Sequence, residues 1–370
     1  MTPEPDFSAL AGLGWREDLA QAWPEHLAAL GPTPPGETRF PARIGQVDRG
    51  ACTLLLPDAE VRAVFGPRLF RDTGELLGGA QPATGDWAVA GGPADGEGPC
   101  QVHGILPRRS AFVRGSAGRK TEAQIVAANV DTVFVVAALT GDQRLRRIER
   151  YLALAWQSGA QPVVVLSKAD LHPDPAAAAE EVERIALGAP VHTVSSRTGD
   201  GLDALDRYVG HGRTVALVGL SGVGKSTLTN RLRGEEVLAT QEVRSDFKGR
   251  HTTTHRELVP LPGGGLLIDT PGMRALAVWD AEEGIDRAFA DVESLTGDCQ
   301  FRDCGHQGEP GCAVRAAVDG GALDEDRVGN WEKLRREQRM LELRQDARAR
   351  AEDKQRIRTR ARALKKRPHR

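Results

Sequence analysis

Across residues 38–114, short runs of alternating apolar and polar positions are cut by turns. Residues 43–47, 51–56, 60–65, 86–90 and 102–106 each read as a strand, with Asp48-Arg49-Gly50 and Ala83-Thr84-Gly85-Asp86 supplying turns. Five such runs in one stretch predict a small closed barrel of the OB type. The texture then changes. Residues 130–139 are an almost unbroken apolar, β-branched run. Leu145, Ile148, Tyr151, Leu152, Leu154 and Trp156 follow at helical spacing, and residues 161–166 are apolar again. Strand, helix, strand is the grammar of a parallel, doubly wound α/β sheet. Before the barrel, Gly31-Pro32-Thr33-Pro34-Pro35-Gly36 stops any helix and reads as a linker behind a helical or partly disordered arm. From about Asp324 the pattern is helical to the end. The expected parts are an arm (1–36), an OB-like barrel (37–115), an α/β domain (116–285) and a C-terminal helical domain (286–370).

Composition changes this picture in two places. At 40% apolar and 27% charged, the 370-residue chain is of the soluble globular class. No apolar run is long enough to cross a bilayer and no secretory leader is evident, so no membrane role and a cytoplasmic location are expected. The net charge of −2 hides an asymmetry: residues 331–370 hold 16 Lys/Arg and 6 Asp/Glu, hence +10, which leaves −12 on the rest. A basic tail suits a polyanion, contacted through its phosphates without sequence choice, and RNA fits better than DNA. In the barrel, only Arg108, Arg109 and Arg114 offer a second basic site.

The chemistry centres on Gly219-Leu220-Ser221-Gly222-Val223-Gly224-Lys225-Ser226, which fits the phosphate loop G-x-x-x-x-G-K-[ST] between an apolar strand and a helix. The glycines let backbone N–H groups converge on phosphate oxygens at the positive end of a helix dipole. The candidate triphosphate contacts are Gly219, Ser221, Gly222, Val223, Gly224, Lys225, Ser226 and Thr227. Lys225 would reach the β- and γ-phosphates and Ser226 would hold Mg²⁺. Upstream, Ser167-Lys168-Ala169-Asp170 resembles the N-K-x-D loop that reads guanine. Asp170 would accept from the guanine ring N–H and amine, a donor pair that adenine lacks. Ser167 stands where Asn is usual, with shorter reach and no amide fork, and leaves ATP open as an alternative. Ser195 and Ser196 resemble the S-A-x loop that contacts guanine O6. Downstream, Thr253 in a Gly-flanked polar loop would complete the Mg²⁺ shell. Asp269 would hold Mg²⁺ through water and the Gly272 N–H would contact the γ-phosphate, as in D-x-x-G. Met273 follows, where a water-orienting Gln is common; a thioether cannot orient water. His251, or else His255, is the nearest candidate for that task.

Five cysteines without a secretory leader argue against a disulfide framework. Cys299, Cys304, His306 and Cys312 lie within one short segment poor in apolar residues. Three thiolates and an imidazole make a closed tetrahedral set for one structural Zn²⁺, which would supply the stability that packing cannot.

The motif order is rotated. The base-reading loops at Asp170 and Ser196 precede the phosphate loop, and the switch loops follow it. With Thr84-Gly85-Asp86-Trp87, Ile105-Leu106-Pro107-Arg108, Arg250-His251-Thr252-Thr253-Thr254, Asp269-Thr270-Pro271-Gly272 and the zinc set, the chain resembles the circularly permuted ribosome small-subunit-dependent GTPase A family of bacteria from about Arg43 to the basic tail. The resemblance implies an OB-like barrel, a circularly permuted GTPase domain and a zinc-binding helical domain. It also implies GTP hydrolysis, stimulated by the small ribosomal subunit and coupled to its late maturation, with His251 catalytic. The expected partners are GTP/GDP and that subunit with its rRNA, for a monomer. The alternative is an RNA-binding switch that hydrolysis merely resets. The chain departs from the family at Ser167 and in the arm before residue 37.

Overall fold

The computed structural model describes residues 7–70, 81–93, 98–115, 123–140, 145–234, 256–269 and 281–345. The alternating runs form β1 (Glu37–Asp48), β2 (Ala51–Leu55), β3 (Glu60–Phe65), β4 (Trp87–Pro93) and β5 (Cys100–Ile105). They close in the order β1-β2-β3-β5-β4-β1, with only β3 and β5 parallel. This is the expected five-stranded barrel, and closure removes its edges. One residue of each alternating pair points inward, so Ile44, Leu54, Ala63, Ala88 and Val102 make the barrel core. Cys52 and Cys100 are buried in it, and burial pushes the Cys52 thiol up to about 12. These two thiols therefore have no part in the metal set.

A ribbon of β6 (Ala111–Gly115) and β7 (Ala123–Ala128), unforeseen from the sequence, leads out of the barrel. The second sheet comprises β8 (Thr132–Ala138), β9 (Gln161–Ser167), β10 (Val191–Thr193), β11 (Thr214–Val218), β12 (Glu257–Pro260) and β13 (Leu266–Asp269). Its spatial order is β10-β9-β8-β11-β13-β12, parallel except for β12. The strand before the phosphate loop, β11, lies at the centre. Strands that precede it in sequence flank one side and strands that follow it flank the other, so the rotated motif order still closes one continuous sheet. Pairing of Gln46 in β1 with Glu257 in β12 fuses barrel and α/β sheet.

The helices are α1 (Glu17–Ala29), α2 (Leu145–Gln157), α3 (Pro175–Glu183), α4 (Lys225–Leu232), α5 (Glu282–Ala288), α6 (Ala290–Thr296), α7 (Ala313–Asp319) and α8 (Glu325–Gln345). From Phe7 onward the arm is ordered and packed. Trp15 meets Trp87 edge-on with ring centroids 4.7 Å apart, and Trp23 stands against Trp15 at 6.1 Å. Arg43 locks the joint. Its guanidinium donates to the carbonyls of Leu13 in the arm, Gly85 in the barrel and Asn129 at the entry to β8. Burial pushes its pKa down to about 10 against the pull of Asp131 and Asp86, which leaves it charged at neutral pH.

Candidate nucleotide site and metal centre

Three loops meet at the carboxyl ends of β9, β10 and β11, where ligands bind in open α/β sheets. The phosphate loop leaves β11 through Gly219 (φ 143°). A Cβ there would stand 2.3 Å from the Val136 carbonyl oxygen, so only glycine lets the loop pass β8. Gly222 and Gly224 also hold positive φ, 79° and 90°, and Gly224 caps α4. Lys225 opens that helix, and its ammonium donates to the Gly219 carbonyl at 2.9 Å and to the Leu220 carbonyl. Lys225 thus lies over the loop, with Ser226 and Thr227 in the first turn of α4.

Ser167, the last residue of β9, is buried. Its hydroxyl donates to the Val223 carbonyl at 2.5 Å, with the Ala137 carbonyl next at 3.2 Å. One O–H has one proton, so the nearer contact is the bond it makes. The short side chain therefore ties the β9 loop to the phosphate loop despite lacking an amide. Lys168 takes the left-handed conformation (φ 61°) and turns the chain into the loop that carries Asp170. A cavity of about 430 Å³ opens between Lys168, the tip of the phosphate loop at Ser221 to Val223, the end of β8 and Arg147, Ile148 and Tyr151 of α2. Asp170, Ser195 and Lys225 do not line it, so it flanks the motif residues rather than containing them.

Asp170 accepts from the Ser195 hydroxyl on Oδ1 at 2.6 Å and from Arg197 Nε and Nη2 on Oδ2 at 2.8 and 2.6 Å. The Ser195 hydroxyl and the Arg197 guanidinium hold its carboxyl below the usual range, so it is ionised at neutral pH. Ser196 is buried. Ser195, which the sequence presents as a base contact, donates to Asp170 in the structure and orients it. The Arg197 contact was not anticipated, although an arginine two residues after a serine that faces an acid is the signal that could have found it. On the far side, Asp269 ends β13. His251, Thr253, His255, Gly272 and Met273 lie outside the described residues.

Of the three arginines expected to form a basic site on the barrel, Arg108 has another use, and the Arg114 side chain lies outside the described residues. Arg108 grips the buried carboxylate of Asp86 with two 2.6 Å hydrogen bonds. Asp86 also accepts from the Ala83 N–H at 2.8 Å. Arg108 is therefore the internal counter-ion of a turn and is not available to a polyanion. Arg109 is half exposed and 3.8 Å from Asp18.

In the C-terminal domain, Cys299, Cys304, His306 and Cys312 converge, with all ligand atoms within 4.8 Å of one another. His306 Nδ1 lies 3.6 Å from the Cys299 sulfur and 3.5 Å from the Cys312 sulfur. A tetrahedron with Zn–S about 2.3 Å and Zn–N about 2.05 Å has a sulfur–nitrogen edge of about 3.55 Å. Both sulfur–nitrogen separations therefore match a zinc tetrahedron, and the four side chains could hold one ion. The surrounding structure holds the set in place. Glu309 accepts from the N–H groups of Gly305 (3.0 Å) and Gln307 (2.8 Å) and so braces the loop on both sides of His306. Cys312 caps α7 by accepting from the Arg315 N–H. Glu309 was missed from sequence; the one acid inside the Gly-rich half of the segment was its signal.

Residues 105–279 match a family model described as RsgA GTPase. The chain is similar to a small ribosomal subunit biogenesis GTPase RsgA of Streptomyces coelicolor, at 46% identity over 351 residues, covering 94% of this chain and 91% of that protein. It is 48% identical over 338 residues to the protein of the same name from Opitutus terrae, covering 89% of each. Among solved structures, YjeQ from Thermotoga maritima aligns with a TM-score of 0.59 at 25% identity, covering 80% of this chain and 97% of that one. YloQ, described as a circularly permuted GTPase, aligns with a TM-score of 0.58 at 25% identity, covering 82% of this chain and 96% of its own.

Proposed function

The chain belongs to the RsgA GTPase family, and from that premise we propose that it hydrolyses GTP on the small ribosomal subunit, late in that subunit's assembly, and leaves the subunit on hydrolysis. The observation that carries this reading is the Ser167–Val223 hydrogen bond. It ties the loop bearing Asp170 to the loop bearing Lys225, as one site for base and phosphates requires. The triphosphate would lie over the amino end of α4, where Gly222 and Gly224 free backbone N–H groups and Lys225 moves from the loop carbonyls to the β- and γ-oxygens. Asp170 would accept the guanine donor pair. Ser226 and Thr253, with Asp269 through water, would hold the Mg²⁺ that neutralises phosphate charge. Met273 has no group to orient water, so His251 is assigned that role. The basic tail would supply phosphate contacts to rRNA, while the closed Cys₃His set would bind zinc as a structural ion. Among the described residues no helix is long and apolar enough to cross a membrane; a cytoplasmic monomer is the working form.

The test is GTP turnover of the full chain and of His251→Ala, each with and without purified small subunits. The reading requires low intrinsic turnover, strong stimulation, and loss of stimulation in the variant with GTP binding retained. A variant that is stimulated as well as the parent would remove His251 from the role. If purified small subunits failed to stimulate the parent, the subunit-coupled reading would fail as a whole.

A further inference from the structure

A carboxylate has about four acceptor positions, two per oxygen. At Asp170 described side chains take three. Ser195 uses one on Oδ1, and Arg197 uses both on Oδ2 through Nε and Nη2. Guanine presents two parallel donors and needs one acceptor on each oxygen. The two Arg197 donors leave no position on Oδ2. The Asp170 side chain is 10% exposed, while that of Arg197 is 71% exposed, so the arginine covers the acid from the solvent side. The loop beneath it is held independently. The Thr198 N–H donates to the Ser195 hydroxyl at 3.1 Å, the Thr198 hydroxyl to Asp200 at 2.6 Å, and the Gly199 N–H to the Ser195 carbonyl at 2.8 Å. Arg197 can leave without dismantling that loop.

We infer that Arg197 is an affinity- and specificity-setting residue that competes with the guanine base for Oδ2 of Asp170. The inference rests on the reading of Asp170 as the base contact and adds a second occupant of the same oxygen. Only a base with a paired donor edge can replace the guanidinium at the acid. An adenine nucleotide would leave the Arg197 bridge intact and gain nothing at Asp170. The competition lowers affinity for GTP and GDP alike, because both carry the same base, and it favours release of the product nucleotide. Salt weakens an exposed ion pair, so the handicap imposed by Arg197 shrinks as ionic strength rises.

The experiment measures GDP affinity by titration calorimetry for the full chain, Arg197→Ala, Asp170→Ala and the double variant, with ADP as the second probe. The expected result is GDP binding about three- to tenfold tighter in Arg197→Ala, the size of an exposed but bidentate pair. In the Asp170→Ala background the same substitution changes nothing, because the competitor has lost its target. The tightening diminishes between about 0.05 and 0.5 M salt. Weaker or unchanged GDP binding in Arg197→Ala, with the parent's preference for GDP over ADP abolished by Asp170→Ala, overturns the competition and leaves the guanine reading in place. No preference for GDP over ADP in the parent overturns the guanine reading and the inference with it.

Discussion

Asp86 is a carboxylate with no access to water, and Arg108 is its charged hydrogen-bond partner among the described residues. Removing one member of such a pair strands the other, which costs about 3–5 kcal/mol. Arg108→Ala is therefore expected to lower the unfolding free energy by about that much at pH 7, as read in urea melts. The sign of the pH dependence follows from burial, which already raises the Asp86 pKa above 3.8. Without the guanidinium it rises further. A raised folded pKa means that stability is fully present below the unfolded value and is lost as pH climbs through the folded one. The deficit of Arg108→Ala should thus shrink as pH falls towards 4. A deficit that is constant with pH would mean that Asp86 is not the stranded group. Ser167 makes a smaller claim. Ser167→Ala removes one buried hydrogen bond of about 0.5–1.5 kcal/mol and should weaken GTP binding about two- to tenfold with the melting temperature little changed. Unchanged GTP affinity would show that the tie between the loops is dispensable.

At the scale of elements, α5 lies directly on α2. A Cβ on Gly284 would stand 2.1 Å from the Ala153 carbonyl oxygen, and the Gly284 N–H donates to Gln157 at 2.9 Å. Beside this contact, buried Glu149 of α2 accepts from Arg327 (2.9 Å) and Asn330 (2.6 Å) of α8, and Arg327 continues to Asp291 of α6. Gly284→Ala should separate the helices and cost at least about 2 kcal/mol, since none of the three facing atoms is a flexible side-chain end. Calorimetry that showed an unshifted transition would contradict the close contact. The metal loop predicts a local effect. Chelation of one zinc per chain, measured by a colorimetric thiol-displacement assay, should open residues 299–312 to proteolysis while the barrel stays resistant. Resistance of that segment after metal removal would show that packing alone holds it. The barrel strands were legible because each alternates with period two and ends in turn residues. The phosphate loop and the metal set were legible because their chemistry fixes the spacing. What escaped was set by distant partners. The arm reads as helical or partly disordered until Trp15 and Trp23 meet Trp87 of β4, and Arg108 looks like a surface cation until Asp86 is seen behind it. β6, β7 and β12 acquire their strand character from the strand they pair with.

Across the whole molecule, the rotated order of the loops determines what each end of the nucleotide site is attached to. The barrel and arm precede the base-reading loops in the chain, and Arg43 joins them at the entry to β8, while the β1–β12 pairing joins the barrel to the sheet on the switch side. The chain leaving β13 passes through the D-x-x-G segment into α5, which is clamped to α2 and leads to the zinc loop and the basic tail. A change at the γ-phosphate would therefore act first on α5 and, if the tail contacts the subunit as proposed, that contact would act back on the site; binding linkage of this kind is reciprocal. The measurement that bears most directly on this is single-turnover GTP hydrolysis by the full chain, with and without small ribosomal subunits, at matched salt. Stimulation by about tenfold or more, lost in His251→Ala although nucleotide still binds, is the expected result. A hydrolysis rate that small subunits leave unchanged would contradict a GTPase whose site is completed by the subunit it helps to mature.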